Sequence, residues 1–355
     1  MSSVGKLCEN SLEPVIQEYG VDVDATVPIT LKRTQMPKET RIYQVEGEDV
    51  TTYLVDTPMT RRIACHPHVV GKELESLSME AAARTLPAIL ELSDVEPHET
   101  IVFEQILRAA PGYKLHEAAA RQISDSFRTL YVRPQYTHTS YREHDGMVQQ
   151  QLRVVYEDFS QLPKGGDICL VMQDTVASGK SGEVAIEAAL DHCERVGARI
   201  KKWILYGFIS LRGLSLLEAV AKKHGLTLIA FAMGNLTALC SNNYDMPLYG
   251  VDESLWARTG EIHKLGALID RSTFTDYLGE FIPGADQPGD WSSRQLKLFT
   301  GTGEEAGNIT DHLRNSARLI QSLMSIGNFA DWQKKLAIDE LGKIEEQLTA
   351  TQTIS

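Results

Sequence analysis

The sequence has little of what would tie the protein to nucleic acid or to a membrane. Its 355 residues include 35 Lys and Arg against 48 Asp and Glu, a formal net charge of −13. Sequence-independent binding of nucleic acid needs clustered cations that neutralise phosphates. No run approaches the roughly 18 consecutive apolar residues of a membrane helix. The first 20 residues lack the basic and apolar regions of a secretion signal. We therefore expect a cytoplasmic protein with neither nucleic acid nor membrane as a partner.

The cysteines are few and scattered. There are five of them, an odd number, and no two form a CxxC pair. This pattern predicts reduced thiols and argues against a disulfide framework or a zinc site.

A polyanion bound to such an acidic chain would have to be held by backbone N–H groups, a few placed cations and a metal.

Strand-like and helix-like segments alternate through the middle of the chain. Apolar runs of seven or eight residues predict buried strands, and the amphipathic stretches between them predict helices that end at glycines. Alternation at this spacing is typical of a parallel α/β sheet. The predicted strands are 101–107, 167–173, 203–210 and 226–233, and the predicted helices are 73–92, 182–198 and 214–225.

The two ends of the chain differ from this middle part. Residues 1–60 form a predicted β-rich N-terminal arm with a hairpin within 40–56, and 305–355 form a predicted helical C-terminal extension. The main domain is predicted to span 61–304. A break at Gly327 separates the two helices of the extension.

Two segments within the main domain read as irregular. The polar and aromatic stretch 130–160 is predicted to be a flexible loop between strands. After Gly234 the alternation stops, and 234–266 is predicted to be an irregular insertion.

The stretch "VMQDTVASGKS" at 171–181 carries the clearest chemical signal. Its end matches the phosphate loop GxxxxGK[ST] of nucleotide triphosphatases, whose leading glycine lets the backbone wrap a phosphate. Asp174 stands where that glycine belongs. A carboxylate there would direct negative charge at the phosphate, so a kinase-type loop is disfavoured.

The same stretch suits the 5′-phosphate of a ribose. Consecutive N–H groups at a strand-to-helix turn can hold a phosphomonoester, helped by the helix dipole. An acid at the end of the strand would accept hydrogen bonds from the ribose hydroxyls. An ordinary turn with a helix cap is the simpler alternative. The candidate binding residues are Asp174, Thr175, Val176, Ala177, Ser178, Gly179, Lys180 and Ser181.

The segment "LVMQDTVASGKS" is similar to the phosphoribosyl pyrophosphate motif of type I phosphoribosyltransferases. More specifically, the chain resembles a divergent uracil phosphoribosyltransferase, because several further segments follow in that family's order. These segments are "CHPHVV" (65–70), "ILRAAPG" (106–112), "LYVRP" (130–134), "SLRGLSLL" (210–217), "FIPGADQPGD" (281–290) and "LFTGTG" (298–303).

The resemblance implies a type I phosphoribosyltransferase-like α/β fold, a parallel sheet flanked by helices, with a hood region. It implies transfer of phosphoribose from phosphoribosyl pyrophosphate to a pyrimidine such as uracil, or to a related heterocycle, with release of pyrophosphate. Mg²⁺ is the implied cofactor, held mainly by the pyrophosphate of the substrate. The fold and the apolar helical extension make a homodimer the expectation.

The resemblance also implies roles for individual residues. Negative charge leaves on the pyrophosphate while the ribose becomes oxocarbenium-like, so a cation and a metal at the leaving group would supply most of the catalysis. Implied catalytic residues are Arg108, Asp174 and Asp290. Implied pyrophosphate contacts are Arg108, Ala109 and Arg133, and implied base contacts are Phe281, Ile282, Pro283, Gly284 and Asp286.

The chain departs from the family pattern at several positions. Gln173 occupies the first acidic position of the loop, and Lys180 replaces its second glycine. "SSRQLKL" stands where the subgroup has a single arginine, which makes Arg294 the candidate equivalent. The insertion at 234–266 would lie near the base pocket. Two alternatives therefore stay open: a non-catalytic sensor of phosphoribosyl pyrophosphate or a nucleotide, and transfer to an unusual acceptor in a specialised pathway.

Overall fold

The computed structural model describes residues 3–47, 49–95, 99–124, 127–138 and 150–354. Within these ranges the centre is a nine-stranded sheet. Its strands are β1 (Thr26–Ile29), β2 (Arg41–Val45), β3 (Thr51–Asp56), β4 (Thr100–Ile106), β5 (Arg128–His138), β6 (Gln150–Asp158), β7 (Gly166–Gln173), β8 (Ala198–Ser210) and β9 (Thr227–Thr237).

Helices and two small sheets surround the large sheet. None of the helices in the described ranges combines the length and apolarity needed to cross a membrane. The small sheets pair β10 (Tyr249–Val251) with β11 (Lys264–Gly266), and β12 (Leu298–Phe299) with β13 (Glu304–Glu305). The helices are α1 (Ser3–Tyr19), α2 (Pro58–Cys65), α3 (Gly71–Leu92), α4 (Leu115–Gln122), α5 (Lys180–Val196), α6 (Leu211–His224), α7 (Glu253–Thr259), α8 (Arg271–Leu278), α9 (Ile309–Ile326) and α10 (Asp331–Ile354).

The strand order is β1-β2-β3-β9-β8-β7-β4-β5-β6. The strands from β3 to β5 in this order run parallel, and β1, β2 and β6 are antiparallel additions at the edges. Both faces of the sheet are covered: along β4, Phe103 packs into one apolar layer while Val102 and Ile106 pack into the other. A parallel sheet buried on both faces requires continuous apolar strands, which explains the apolar runs of the sequence. The predicted α/β class with a parallel sheet flanked by helices is confirmed.

The N-terminal segment differs in part from its prediction. The predicted hairpin is confirmed as β2 and β3, which pair antiparallel. The chain begins, however, with the helix α1, which the description as β-rich omits; Pro14 within it obscures the helical pattern. Moreover, β3 pairs in parallel with β9, with Leu54 opposite Ala232. The hairpin therefore extends the central sheet, while the predicted boundary at residue 60 stays a prediction.

The two segments predicted to be irregular contain regular structure. Most of 130–160 forms the antiparallel pair β5 and β6, with a register shift at Arg133 and Pro134; residues 139–149 lie outside the described ranges. The insertion 234–266 contains the end of β9, then β10, α7 and β11. Strands as short as three residues leave no readable alternation, which is why the pattern seemed to stop at Gly234.

The predicted C-terminal helices are confirmed as α9 and α10, and Gly327 ends α9. A buried cluster joins α10 to the segment that follows α2. Glu340 receives the N–H of His68 at 3.2 Å, and its two oxygens lie 3.0 Å from Nδ1 of His66 and 2.5 Å from Nδ1 of His68. Burial raises the pKa of Glu340, but the hydrogen bonds from the two histidines outweigh it and hold this pKa far below its usual value. The cluster therefore anchors α10 to the main body as a charged group.

Candidate active site

The loop after β7 is built as a continuation of the sheet. The N–H of Asp174 donates to the carbonyl of Tyr206 at 3.0 Å, and the N–H of Val176 donates to that of Phe208 at 2.8 Å. Gly207 makes this approach possible, because a Cβ there would lie 2.0 Å from the carbonyl oxygen of Asp174. Ser210 closes the loop from the other side by donating its hydroxyl to the carbonyl of Ala177. The backbone of the predicted phosphate loop is thus fixed by β8.

Beyond that anchored part, the loop presents N–H groups. The backbone N–H groups of 177–182 donate to no other described residue. Gly179 has φ +80°, and a Cβ there would lie 2.8 Å from the carbonyl oxygen of Gly213. The next residue, Lys180, begins α5, and its exposed side chain forms no ion pair within the described ranges. A row of donors at a helix N-terminus, beside a lysine, is the arrangement that binds a phosphate.

Asp174 is the acid of this site. Its side chain is buried and lines the cavity described below. Burial raises the pKa of Asp174 to about 7, against the smaller opposing effect of the Thr175 N–H. No lysine or arginine among the described residues pairs with it. The carboxylate is thus free to accept hydrogen bonds from a ligand, and its ionisation is poised near neutrality.

Gln173, the departure from the family pattern, has a structural role. Its Oε1 accepts from the N–H of Leu115 at 2.8 Å, and its Nε2 donates to Oε1 of Gln105 at 2.7 Å. The side chain is fully buried and does not line the cavity. A carboxylate at this position could accept from the N–H of Leu115 but could not donate to Oε1 of Gln105. The amide therefore fits this position better than the acid that the family pattern led us to expect.

A cavity of about 500 Å³ opens at the carboxyl ends of β4 and β7 and beside residues 133–136 of β5. In parallel α/β sheets this edge is where ligands bind. The structure brings the implied phosphate-binding, pyrophosphate-binding and catalytic residues together around this one space. From the predicted set it is lined by Arg108, Ala109, Arg133, Asp174, Thr175, Val176, Ala177, Ser178, Gly179, Lys180, Ser181 and Asp290.

Two of these residues are cations that the small sheet β12–β13 contacts. Arg108 forms an ion pair with Glu305, and Nη1 of Arg133 donates to the carbonyl of Thr300 at 3.2 Å. Both arginines are partly exposed. An anionic ligand in the cavity would therefore have to compete with Glu305 for Arg108.

The implied base contacts are placed differently. Phe281 and Ile282 bury their side chains in the core, where Phe281 lies against Tyr249 with ring centroids 5.6 Å apart. The N–H of Gly284 donates to the carbonyl of Tyr249 at 2.7 Å. None of the residues 281–284 lines the 500 Å³ cavity. Their apolar side chains are used for packing, and Asp286 lines a second cavity instead.

Arg294, the candidate equivalent of the subgroup's arginine, serves the fold. It is fully buried, and its guanidinium donates to the carbonyls of Val69, Pro288 and Ile63, at 2.9, 2.7 and 3.1 Å. Burial lowers its pKa to about 10, so the cation persists at neutral pH. It ties the "CHPHVV" segment to the turn before Asp290. Its equivalence to the subgroup's arginine stays a prediction.

Residues of the site that the sequence did not reveal include aromatic side chains. Trp291 and Tyr244 line the cavity, and Tyr113 lies behind it, stacked on Trp291 with ring centroids 4.4 Å apart. Trp291 follows the "PGD" motif directly, which was the only signal available. Tyr244 comes from the insertion 234–266, whose approach to the site no spacing rule could give.

Comparisons with known proteins return structural likenesses alone. No protein-family model and no curated protein matches the chain. Among solved structures, adenine phosphoribosyltransferase from Leishmania donovani is similar at 11% identity and a TM-score of 0.34, over 56% of this chain and 89% of that one.

Two further structures are orotate phosphoribosyltransferases. The one from Aeropyrum pernix has 16% identity and a TM-score of 0.27, over 62% of this chain and 93% of that one. The one from Mycobacterium tuberculosis, in complex with phosphoribosyl pyrophosphate, has 14% identity and a TM-score of 0.28, over 49% and 92%.

Proposed function

We propose that the protein is a phosphoribosyltransferase, which transfers phosphoribose from phosphoribosyl pyrophosphate to a nitrogen heterocycle and releases pyrophosphate. One observation carries the proposal: a single cavity collects an N–H row at 177–182, the unpaired acid Asp174 and the cations Arg108 and Arg133. The N–H row suits the 5′-phosphate of the substrate, Asp174 suits the ribose diol, and the two arginines suit the pyrophosphate.

The proposed reaction needs no covalent intermediate. A nitrogen lone pair of the acceptor attacks C1 of the ribose, the bond between C1 and the pyrophosphate oxygen breaks, and its electron pair leaves with pyrophosphate. The acceptor N–H loses its proton to a base, a role that suits the exposed carboxylate of Asp290. The transition state gathers positive charge on the ribose, beside Asp174, and negative charge on the leaving group, beside Arg108.

The residues present fit the implied Mg²⁺. This ion prefers oxygen ligands, usually one or two carboxylates together with substrate phosphate and water, and the cavity is lined by the carboxylates of Asp174 and Asp290. The ion would neutralise charge on the departing pyrophosphate. The protein would orient the ribose and the phosphates around it.

The finer expectations belong to the same proposal. A uracil-like pyrimidine as acceptor, a homodimer and a cytoplasmic location stay predictions. The alternative of a non-catalytic sensor differs in one measurable respect, because a sensor would bind phosphoribosyl pyrophosphate without releasing pyrophosphate.

The test is to incubate the protein with phosphoribosyl pyrophosphate, Mg²⁺ and a panel of bases, and to follow pyrophosphate release. Release that requires both protein and base supports the proposal, and tight binding without release with any base favours the sensor. Asp174→Asn and Arg108→Ala should each abolish or strongly reduce binding and turnover. Matched controls are Asp167→Asn and Arg199→Ala. These residues form an exposed ion pair at the amino ends of β7 and β8, at the end of each strand away from the cavity. If both site variants behave as their controls do, the site is misassigned.

A further inference from the structure

A second cavity, of about 600 Å³, adjoins the first. The two share Tyr244, Gly289 and Asp290 as lining residues. The other walls of the second cavity come from the insertion 234–266, from the turn at 285–290 and from α9. A molecule in this space would thus border the ribose end of the first cavity across Asp290.

The second cavity is rich in carboxylates, beside the polar side chains of Asn315, Ser316 and Ser322; the Ser322 hydroxyl donates to Oε1 of Glu253 at 2.7 Å. Four carboxylates reach it, from Asp245, Glu253, Asp286 and Asp290, and one cation, Arg318, lies exposed at its rim. Burial raises the pKa of Asp286 well above its usual value, and the charge of Asp245 raises it further. Bringing a cation or an N–H donor into this space would relieve that repulsion.

His312 adds an acceptor of a different kind. Only 3% of its surface is exposed, and its Nε2 lies 2.9 Å from the carbonyl oxygen of Pro67, to which it donates. Burial lowers the pKa of His312 to about 4, so the ring is neutral and its Nδ1 carries a lone pair. No described residue donates to Nδ1. A Cβ built on Gly289, at the junction of the two cavities, would lie 3.3 Å from that nitrogen. The same Cβ would lie 2.6 Å from Cε1, so a glycine is needed where the turn packs on the ring, and His312 lines the second cavity.

The arrangement does not suit a single metal ion. In the part of the chain that the structure describes, three metal-ligating side chains come within 4.8 Å of one another only at His66, His68 and Glu340. The carboxylates of the second cavity are thus spread along its wall. Hydrogen-bond acceptors that are spread in this way suit an extended organic molecule with several donors.

We propose that the second cavity binds the acceptor of the transfer, and that this acceptor is a heterocycle carrying an amino or amidinium group. The inference rests on the proposed phosphoribosyl transfer. The nucleophilic nitrogen of the acceptor faces the first cavity beside Asp290, and its amino group donates to Asp245, Glu253 or Nδ1 of His312. A base with only carbonyl groups at that end would bring acceptors against carboxylates, which is unfavourable.

The experiment compares matched pairs of bases in the full-length protein with phosphoribosyl pyrophosphate and Mg²⁺: adenine against hypoxanthine, and cytosine against uracil. Members of each pair differ by an amino group in place of a carbonyl. We expect at least one amino base to support pyrophosphate release, or to bind, roughly tenfold better than its partner. Equal or better use of the carbonyl bases, or no use of any base, overturns the inference.

Thermal stabilisation by phosphoribosyl pyrophosphate alone, measured in parallel, separates the two proposals. If it is present while the base pairs fail, only the acceptor class is wrong; if it is absent, the proposed function itself fails. The variants Asp245→Asn and Glu253→Gln should raise KM for the amino base roughly tenfold and leave KM for phosphoribosyl pyrophosphate unchanged. Glu346→Gln, on the exposed side of α10, is the charge-matched control. Unchanged KM values in both variants would also contradict the inference.

Discussion

The hydroxyl of Tyr113 lies 2.5 Å from Oγ1 of Thr175, while its ring stacks on Trp291. One side chain thereby touches both the loop that begins at Asp174 and the turn that carries Asp290. Tyr113 is almost completely buried, so its position is set by the core. The spacing between the two halves of the cavity depends on this contact.

Removing the Tyr113 hydroxyl should loosen the phosphate loop. We expect Tyr113→Phe to destabilise the fold by about 1 kcal/mol, the usual loss for one hydrogen bond, and to raise KM for phosphoribosyl pyrophosphate several-fold. Thr175→Val removes the other partner. If the contact matters, the double variant should lose less than the sum of the two single losses. Strict additivity would show that the two hydroxyls act independently.

Asp174→Asn should make the fold more stable at alkaline pH but weaken ligand binding. Because the folded pKa is about 7 against an ordinary 3.8, the folded state holds an extra proton between these values. Stability therefore falls as pH rises from about 4 to about 7, where the buried group ionises. The variant removes this cost, so its melting temperature at pH 8 should exceed that of the unchanged protein.

The same variant should lose binding of ribose 5-phosphate. Titration calorimetry at pH 8 measures that loss, and thermal melts at pH 5 and pH 8 measure the gain. At pH 5 the difference in melting temperature should be smaller than at pH 8, because the folded state still keeps Asp174 protonated while the unfolded state has already ionised. The exposed Asp167→Asn should change neither quantity, and a lower melting temperature of Asp174→Asn at pH 8 would contradict the prediction.

Glu305 competes with an anionic ligand for Arg108. We expect Glu305→Gln to tighten pyrophosphate binding several-fold, since it frees the guanidinium. Arg108→Ala should weaken it by tenfold or more, roughly the loss of one charge-assisted hydrogen bond. The neighbouring Glu304 pairs with Lys297, so Glu304→Gln is the control for a change of charge alone. Equal effects of the two glutamine variants would remove Glu305 from this role.

Glu340→Gln should detach α10 from the main body. Breaking a buried ion pair costs about 3–5 kcal/mol, and Glu346→Gln serves as the control. How the stabilisation by this cluster changes with pH depends on the pKa values of both Glu340 and His66. The contribution of Glu340 is lost as pH falls below its unfolded value of 4.5. Burial lowers the pKa of His66, but hydrogen bonds to Glu280 and Glu340 outweigh it and raise the pKa above 6.5, so the contribution of His66 is lost at higher pH.

The difference in unfolding free energy between Glu340→Gln and the unchanged protein should therefore be largest between about pH 4.5 and pH 6.5. Denaturant unfolding across this range measures it. A difference that does not change with pH would show that Glu340 acts through packing alone.

Gln173→Glu tests whether this position faces the ribose. If the glutamine is a departure that weakens the site, an acid there should improve binding of ribose 5-phosphate. We expect instead a loss of stability of about 1–3 kcal/mol, because Oε1 of Gln105 would lose its donor, and no tighter binding. Thermal melts and calorimetry on the same preparation distinguish the two results.

The sequence predicted the parts of the fold that depend on local pattern. Apolar runs identified β4, β7, β8 and β9, since each is buried on both faces. The loop at 174–181 was readable because an acid, small residues and a following helix stand in that order, as a site for a ribose 5-phosphate requires. Arg108 and Asp290 were reached through the resemblance, and the cavity unites them.

What could not be predicted depends on contacts between distant segments. Gln173 and Arg294 carry the same residue types whether they bind substrate or the chain itself, and only their partners, Gln105 and the carbonyl of Val69 among them, decide the matter. The second cavity joins Asp245 with His312, which are far apart in the chain. Sequence periodicity does not indicate contacts between such distant segments.

The pairing of β3 with β9 has a consequence for how the chain reaches its fold. Strand β3 ends at Asp56 and its partner begins only at Thr227, so this pairing has a very long sequence separation. Contacts of that kind close late and slow folding. On the ribosome the hairpin β2–β3 must wait, with one strand edge unpaired, until β9 has been synthesised. An unpaired edge invites association with other chains, which makes the interval before β9 emerges the period when the nascent protein most needs a chaperone.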